Sequence, residues 1–318
     1  MTELITKVKA FGWENCYRLT NEGVEMIVTA DVGPRIVFWG LENGKNLLKL
    51  FENQLGRTND EEWLLYGGHR LWAAPEDPHL SYLPDNQAVL VEFESGDGSL
   101  SFIRPADASG LERKLTILPL RQNQNVIKSG SKNDFGLTGK EMKALGSFIV
   151  RNEIINRSEE MIKTASWGIT SFEAGGLGFM PLEKNKEPEK ALQANNRLNL
   201  WDYSSLADPA YQWEENRLEI QQAKAQRKQK VGTYTVKPWL AYHLDNLLSL
   251  IHLPMEQEST ENYPDQGSNI EIYFDQEMLE LETLSPWKSL QAGESVWHDE
   301  IWTLFDLSSD SSDQKSNA

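Results

Sequence analysis

Two glutamates near the end of the chain have a spacing that suits proton transfer. Residues 279–284 alternate apolar and acidic side chains, which is typical of a β-strand with one buried face. The leucines then face the core, and Glu280 and Glu282 share the opposite face. Two carboxylates about 7 Å apart along a strand repel each other, so the pKa of one can rise to a value useful for a general base or acid. The alternative is a solvated strand face.

A histidine and a glutamate lie on the next predicted strand, residues 296–302. The same alternation puts His298, Glu300 and Trp302 on one face. A His–Glu pair beside an indole could bind a polyol. An ordinary edge strand could carry the same residues, and the sequence leaves both interpretations open.

The segment 66–78 has two adjacent glycines followed by a dense group of polar and aromatic side chains. These side chains are His69, Arg70, Trp72, Glu76 and Asp77. Paired glycines leave room close to the backbone, and loops of this kind on a rigid scaffold tend to carry binding residues. The alternative is a structural turn in which Arg70 pairs with one of the two acids.

A third region, residues 195–203, combines amides with Arg197, Trp201 and Tyr203. Polar groups beside an aromatic plane suit the hydroxyls and the apolar face of a sugar. The same residues also suit a polar loop. The chain has 11 tryptophans, which fit either a large β core or stacking on sugar rings.

The strands that position these residues are predicted from short apolar runs that are bounded by Gly and Pro. Alternation with a period of two dominates, and no long amphipathic helix is found. A dozen or more short strands without regular helices between them predict an all-β fold, a large antiparallel β-sandwich. The predicted strands are Met26–Ala30, Ile36–Gly40, Ala88–Phe93, Leu100–Ile103, Leu111–Leu118, Ser147–Ile155, Met161–Thr170, Tyr234–Tyr242, Leu248–His252, Asn269–Phe274, Leu279–Leu284 and Val296–Phe305.

No break in composition divides the chain, so residues 1–307 are predicted to form one domain. The Ser/Asp-rich residues 308–318 are predicted to be a disordered tail. Polar stretches predict loops at 121–146, 182–196, 221–230 and 254–268.

The charge and the cysteine count exclude several classes of partner and site. Thirty-one basic and 48 acidic residues give a net charge of −17, which argues against binding to nucleic acid or to an anionic membrane. No apolar run of about 18 residues and no signal peptide is found. Cys16 is the only cysteine, so a disulfide scaffold and a cysteine-based zinc site are excluded. We expect a cytoplasmic protein with no metal and no cofactor; the sequence does not indicate its oligomeric state.

Several of these segments, in this order, resemble the galactose-mutarotase-like superfamily, the aldose 1-epimerase sandwich, and within it a bacterial branch. The resemblance spans residues 12–305 and rests on short pieces in matching order. They are Gly33-Pro-Arg-Ile36, Gly67-Gly-His-Arg-Leu-Trp72, Ala165-Ser-Trp-Gly-Ile-Thr170, Tyr263-Pro-Asp265, Asn269-Ile-Glu271, Leu281-Glu-Thr283 and Leu290-Gln-Ala-Gly-Glu-Ser295.

The resemblance implies a twisted sandwich with a sugar-binding concave face. In the epimerases, a Glu in a late Leu-Glu-Thr strand takes the proton from the anomeric hydroxyl and a His protonates the ring oxygen. The ring then opens and recloses as the other anomer. By this resemblance Glu282 matches the base, and Arg70 matches a substrate-binding arginine.

The acid histidine of the epimerases has no counterpart at its expected place. The corresponding stretch, residues 167–172, begins with Trp167 and contains no histidine, and a tryptophan does not supply a proton to a ring oxygen at a useful rate. The candidates to replace it are His69, His243 and His298. We favour His69, because its segment is the richest in binding groups.

These arguments predict a protein that binds a small-molecule carbohydrate. Glu282 and His69 are the predicted catalytic residues, and the predicted substrate-binding residues are Arg70, Trp72, Glu76, Trp167, Arg197 and His298. One alternative is a sugar-binding or regulatory module that has lost the acid histidine. Another is a scaffold protein whose cleft is filled by residues 121–146 or 182–196. A lyase rests on fold analogy alone.

Overall fold

Alternating side chains fold most of the chain into antiparallel β-strands. The computed structural model describes residues 5–93, 98–120, 142–183, 192, 194–254 and 260–307. Its strands are β1 (Ile5–Ala10), β2 (Trp13–Asn21), β3 (Val24–Thr29), β4 (Arg35–Leu41), β5 (His69–Ala74), β6 (Leu90–Phe93), β7 (Leu100–Arg104), β8 (Leu111–Leu120), β9 (Lys143–Asn156), β10 (Ile162–Glu173), β11 (Leu177–Pro181), β12 (Leu198–Leu200), β13 (Tyr211–Trp213), β14 (Arg217–Gln221), β15 (Gln229–Thr233), β16 (Trp239–Leu244), β17 (Leu247–His252), β18 (Ile270–Phe274), β19 (Met278–Leu284), β20 (Lys288–Leu290) and β21 (Ser295–Asp306). Short helical turns lie at Glu52–Gln54, Gln222–Lys224, Thr260–Asn262 and Pro264–Gly267.

The strands form two sheets. The first has eleven strands in the order β1-β2-β3-β4-β5-β10-β19-β18-β15-β12, and β20 pairs with β10 at its side. The second has ten strands in the order β13-β14-β11-β16-β17-β21-β9-β8-β7-β6. The predicted all-β antiparallel sandwich is therefore confirmed.

Large apolar side chains from both sheets meet between them and form the core. The ring of Trp39 on β4 lies 5.5 Å from the ring of Trp302 on β21 and 6.0 Å from that of Phe148 on β9, edge-on in both cases. The Trp39 indole N–H donates a hydrogen bond of 2.8 Å to Ser249, so its polar group is satisfied inside the core. Burial of such side chains, at about 25 cal/mol per Å² of apolar surface, holds the sheets face to face.

The predicted strands correspond to strands of the structure, but several boundaries differ: β9 begins at Lys143, inside the predicted loop 121–146, and β10 ends at Glu173 rather than at 170. The strand predicted at 234–242 begins only at Trp239, because Pro238 has no N–H to donate to a strand ladder. The loop predicted at 221–230 is also wrong at its end, since β15 begins at Gln229. Its Lys230 is buried against carboxylates of other strands, a pairing that local composition does not indicate.

Some predictions fall on parts of the chain outside the described residues. These are residues 121–141 of the first predicted loop, residues 184–191 and 193 of the second, residues 255–259 of the fourth, and the predicted tail 308–318. Within the described ranges, no helix has the length and apolar character needed to cross a bilayer.

Candidate functional site

The central strands β5, β10, β19, β18 and β15 form the floor of a cleft on the outer face of the eleven-stranded sheet. Directly paired residues of antiparallel strands point to the same side. Arg70 pairs with Ile169, and Ile169 pairs with Glu282. Glu282 in turn pairs with Glu271. These four side chains therefore lie in one row on the outer face.

Aromatic side chains form the walls of this cleft, which has a volume of about 350 Å³. The aromatic lining residues are Trp63, Trp72, Tyr82, Trp167, Trp201, Tyr203 and Tyr273. The rings of Trp72 and Trp167 pack edge-on with centroids 5.6 Å apart, and those of Trp63 and Tyr82 pack edge-on at 5.1 Å. Packed rings of this kind keep their faces and edges in fixed positions for an apolar surface of a ligand.

Glu280 is held as an ionised carboxylate on the cleft floor. Arg70 donates to both of its oxygens, at 2.8 and 3.4 Å, and the Ser171 hydroxyl donates to it at 2.7 Å. Burial alone would raise the pKa of Glu280, but the Arg70 charge and these hydrogen bonds lower it. The Arg70 guanidinium also lies over the ring of Trp72, 4.9 Å from its centroid.

Glu282, two residues further along β19, has a different environment. The Trp167 indole N–H and the Lys230 ammonium each donate to its Oε2 atom at 2.8 Å. Among the described residues, its Oε1 atom has no hydrogen-bond donor. Burial raises the pKa of Glu282 above its ordinary value despite the attraction of Lys230. The two glutamates of the strand thus have pKa values displaced in opposite directions, as the roles of a fixed anion and a proton acceptor require.

Lys230 is a buried cation that joins two carboxylates. Its Nζ atom lies 2.8 Å from Glu271 and 2.8 Å from Glu282. It also lies 4.6 Å from the ring centroids of both Trp167 and Trp201, which favours a cation. Burial by itself would lower the pKa of Lys230, but the two carboxylates raise it well above its ordinary value, so the ammonium stays charged.

Asp265 and Glu271 form a pair of carboxyl groups at the same end of the cleft. Glu271 is fully buried, and Asp265 is half-buried and lines the cleft opening. Burial raises the pKa of both groups, although Lys230 opposes the increase. Asp265 has a φ of 48° and Gln266 a φ of 60°, so two consecutive non-glycine residues adopt the left-handed conformation here.

His69 does not lie in the cleft, which corrects its predicted role as the acid. It neighbours Arg70 on β5 and therefore faces the core, where it is fully buried. Its Nε2–H donates to Asn152 at 2.9 Å, and its Nδ1 accepts from the Thr170 hydroxyl at 2.9 Å. Burial lowers its pKa. A neutral histidine with both nitrogens bonded, on the far side of the sheet from Glu282, cannot protonate a ligand in the cleft.

His298 also belongs to the core and is not one of the residues that line the cleft. Its Nε2–H donates to Thr283 at 2.9 Å. Thr283 donates to Glu300, and the Trp302 indole donates to the same carboxylate at 2.7 Å. The three residues do share a face, as alternation predicted, but that face is the inner one, which is covered by the first sheet.

The remaining predicted binding residues divide between the cleft and the surface. Arg70, Trp72, Glu76 and Trp167 line the cleft; Glu76 accepts a hydrogen bond from Tyr82. Arg197 is exposed and is not one of the lining residues. It precedes β12, where its backbone carbonyl accepts a hydrogen bond from Thr233.

Several residues of the site were not predicted from the sequence, among them the wall residues Trp63, Tyr82 and Tyr273 and three charged residues. Lys230 was assigned to a polar loop, and Asp265 and Glu271 were noted only as parts of the resemblance. The alternation of residues 269–274 was a usable signal, because it puts Glu271 on the face opposite two isoleucines. No local signal distinguishes Lys230 from the lysines around it.

Comparison with known proteins identifies the fold. No protein-family model matches the sequence, and no curated protein matches it. The structure is similar to that of a TPR-domain containing protein from Parabacteroides distasonis, with a TM-score of 0.54 and 13% identity over 95% of this chain; the chain spans 49% of that protein. It is similar to a galactose mutarotase-like protein from Lactobacillus casei (TM-score 0.53, 10% identity, 91% of this chain and 100% of that one).

A third similar structure is the galactose mutarotase related enzyme from Lactobacillus acidophilus (TM-score 0.50, 10% identity, 93% of this chain and 98% of that one). Similarity at sequence identities this low supports a shared fold only and does not extend to the residues of the site. The similarity extends over nearly the whole chain, in agreement with the likeness expected from the sequence. The chain therefore has the galactose mutarotase-like fold.

Proposed function

We propose that the protein binds a sugar in this cleft and interconverts its anomers, with Glu282 as the general base. The observation that carries the proposal is the state of Glu282, a buried carboxylate with a raised pKa and a free Oε1 atom on an aromatic-walled floor. The rings supply a surface for the apolar face of a sugar. Arg70 and the carboxylates supply partners for its hydroxyls.

The charges of the cleft favour an uncharged sugar. Arg70 is paired with Glu280, and Lys230 is paired with Glu271 and Glu282. Neither buried cation is free to bind a phosphate group. The exposed Glu76 and the exposed Lys228 line the cleft with opposite charges, so the lining has no excess of positive charge to attract an anionic ligand.

In the proposed reaction, Glu282 Oε1 takes the proton of the anomeric hydroxyl. The electron pair left on that oxygen forms the carbonyl bond, and the bond from the anomeric carbon to the ring oxygen breaks. The ring oxygen takes up a proton, and reclosure on the other face of the carbonyl reverses both proton transfers. General acid and general base groups each contribute about 10²–10⁴ to such a rate.

The test is the rate of anomer interconversion, followed by NMR or polarimetry over a panel of hexoses and pentoses. We expect acceleration by the wild type and a loss of about 10²–10⁴ in kcat for Glu282→Gln. Glu159→Gln is the matched control, because Glu159 is exposed and is not one of the residues that line the cleft. Equal activity of Glu282→Gln and wild type would refute the assignment of the base.

A second candidate is a sugar-binding module without catalytic activity. It is favoured by one observation: among the described residues that line the cleft there is no histidine. In that case a sugar of the panel would quench or shift tryptophan fluorescence, because four indoles line the cleft. The protein would not accelerate mutarotation of that sugar. If no sugar produced either effect, both functions would be wrong.

A further inference from the structure

The side chain of Trp201 is shared by the cleft and by a second cavity. Trp201 lines the cleft of about 350 Å³ and also its opening, which has a volume of about 490 Å³. The same side chain lines a further space of about 380 Å³, which we call the outer cavity. The outer cavity is lined by Asn199, Leu200, Trp201, Asp202, Tyr203, Asp265 and Gln266. The three spaces therefore meet at one half-buried indole.

These adjoining spaces are larger than one sugar ring requires. Pockets that take small ligands enclose about 300–1,000 Å³, and the cleft at Glu282 lies at the lower end of that range. A sugar ring with its anomeric carbon at Glu282 leaves the outer cavity, which is of similar size, for another group. Because Trp201 and Tyr203 line both spaces, a ligand can extend from one into the other.

The outer cavity has polar side chains that the rest of the described chain does not engage. Neither the Asp202 carboxylate nor the Gln266 side-chain amide has a hydrogen-bond partner among the described residues, and both are exposed. A carboxylate accepts hydrogen bonds, and an amide both donates and accepts them. The two side chains can therefore bind hydroxyl groups, which are donors and acceptors at once.

The backbone at the rim of the outer cavity is fixed in an uncommon conformation. Asp265 and Gln266 have positive φ values, which persist in non-glycine residues only where the surroundings impose them. The Asn199 amide donates to the Asp265 carbonyl at 2.9 Å and to the Ser268 hydroxyl at 2.8 Å. Strained backbone of this kind clusters at ligand-binding sites, and here it sets the position from which the Gln266 side chain projects.

The lining of the outer cavity suits a neutral sugar unit better than other ligands. An indole offers an apolar plane, and the nearby carboxylate and amide offer hydrogen-bond partners, which match the apolar face and the hydroxyl rim of a sugar ring. The described lining includes Asp202 and Asp265 and no basic side chain, which disfavours an acidic or phosphorylated group. A purely apolar ligand would remove water from these carboxylates without replacing their hydrogen bonds.

We propose that the site takes a neutral reducing disaccharide or longer oligosaccharide. Its reducing-end unit lies in the cleft at Glu282, and the next unit packs on Trp201 and bonds to Asp202 and Gln266 in the outer cavity. The direction of the chain rests on the proposed function, because only the reducing-end unit has a free anomeric hydroxyl for Glu282. Hydrolysis of a glycosidic bond in a longer glycan is the class of reaction that would supply such a substrate.

The first test compares disaccharides with their own reducing-end units on the wild-type protein. Maltose, cellobiose, isomaltose, lactose and melibiose are each compared with glucose, and galactobiose is compared with galactose. Kd is measured by tryptophan fluorescence. Stacking on one indole together with hydrogen bonds to two side chains should make at least one disaccharide bind about tenfold more tightly than its monosaccharide. If no disaccharide binds more tightly, the proposal is overturned.

The second test removes the polar groups of the outer cavity. Asp202→Ala and Gln266→Gly affect exposed side chains, and glycine accepts the φ of 60° at position 266. Each variant should weaken binding of the preferred disaccharide about 3–10-fold and leave the Kd of its monosaccharide within about twofold. Glu261→Gln, on the exposed turn before Asp265 and outside the lining, is the control. Variants that bind the disaccharide as wild type does, or that lose both sugars equally, would contradict the proposal.

Failures of the two proposals are distinguishable. Acceleration of mutarotation that depends on Glu282, without tighter binding of any disaccharide, would remove the second sugar unit and leave the reaction. Tighter binding of a disaccharide that depends on Asp202 and Gln266, without acceleration of any sugar, would remove the reaction and leave the outer cavity as a binding site. If no sugar binds, both proposals are wrong.

Discussion

Glu300 offers the sharpest test of the polar cluster beneath the cleft floor. It is fully buried between the sheets and accepts hydrogen bonds from Thr283 and from the Trp302 indole. Burial alone would raise its pKa, but the neighbouring imidazoles of His69 and His298 and the hydrogen bond from Thr283 lower the pKa from 4.5 to about 2. The carboxylate therefore stabilises the folded state, and the Glu300→Gln variant is expected to lose that contribution.

The size and the sign of the effect follow from this shift. A difference of about 2.5 pKa units corresponds to about 3 kcal/mol of stability at pH 7, at 1.36 kcal/mol per unit. Because the folded-state pKa is depressed, the contribution is complete above the unfolded value of 4.5 and is lost as the pH falls toward 2. At pH 3 less than half of the contribution should remain.

The assay is urea unfolding of wild type and Glu300→Gln at pH 7, 5 and 3, followed by tryptophan fluorescence. We expect the free energy of unfolding of the variant to be lower by about 3 kcal/mol at pH 7 and at pH 5, and the difference to narrow by more than half at pH 3. Glu159→Gln serves as the exposed control. A stability difference that is the same at all three pH values would show that the loss comes from packing and not from the ionised carboxylate.

Two further predictions concern residues on either side of the cleft floor. A Cβ at Gly168 would lie 2.6 Å from the Glu300 carboxylate and 3.0 Å from the Thr283 hydroxyl. Gly168→Ala should therefore lower the free energy of unfolding by about 1–3 kcal/mol. A variant with the melting temperature of the wild type would contradict this. Arg70→Met leaves the buried Glu280 carboxylate without its cation and should cost about 3–5 kcal/mol in urea unfolding. The double variant Arg70→Met/Glu280→Met should recover most of that loss, and equal stabilities of the single and double variants would argue against the charge pair as the cause.

Residues whose surroundings depend on strand alternation could be predicted from the sequence. The alternation of residues 279–284 placed Glu280 and Glu282 on one face, and the structure has them there. The same rule, applied to β5, separates His69 from Arg70. His69 was misplaced because its segment was interpreted as a loop, where alternation does not apply.

Residues whose role depends on distant strands could not be predicted in this way. Lys230 is buried only because β15 lies beside β18 and close to β19. These two strands carry Glu271 and Glu282, which are about 40–50 positions further along the chain. The sequence around Lys230 is polar throughout.

The position of the last strand has a consequence for how the molecule can assemble. β21 lies in the middle of the ten-stranded sheet, between β17 and β9, and its partners are separated from it by about 50 and 150 residues. During synthesis, β9 and β17 therefore keep open edges until the chain has been made as far as Asp306. Open edges of this kind recruit other strands, and such non-local pairing forms slowly. A chain that stops before β21 should accumulate as aggregates through those two edges rather than as a smaller folded protein.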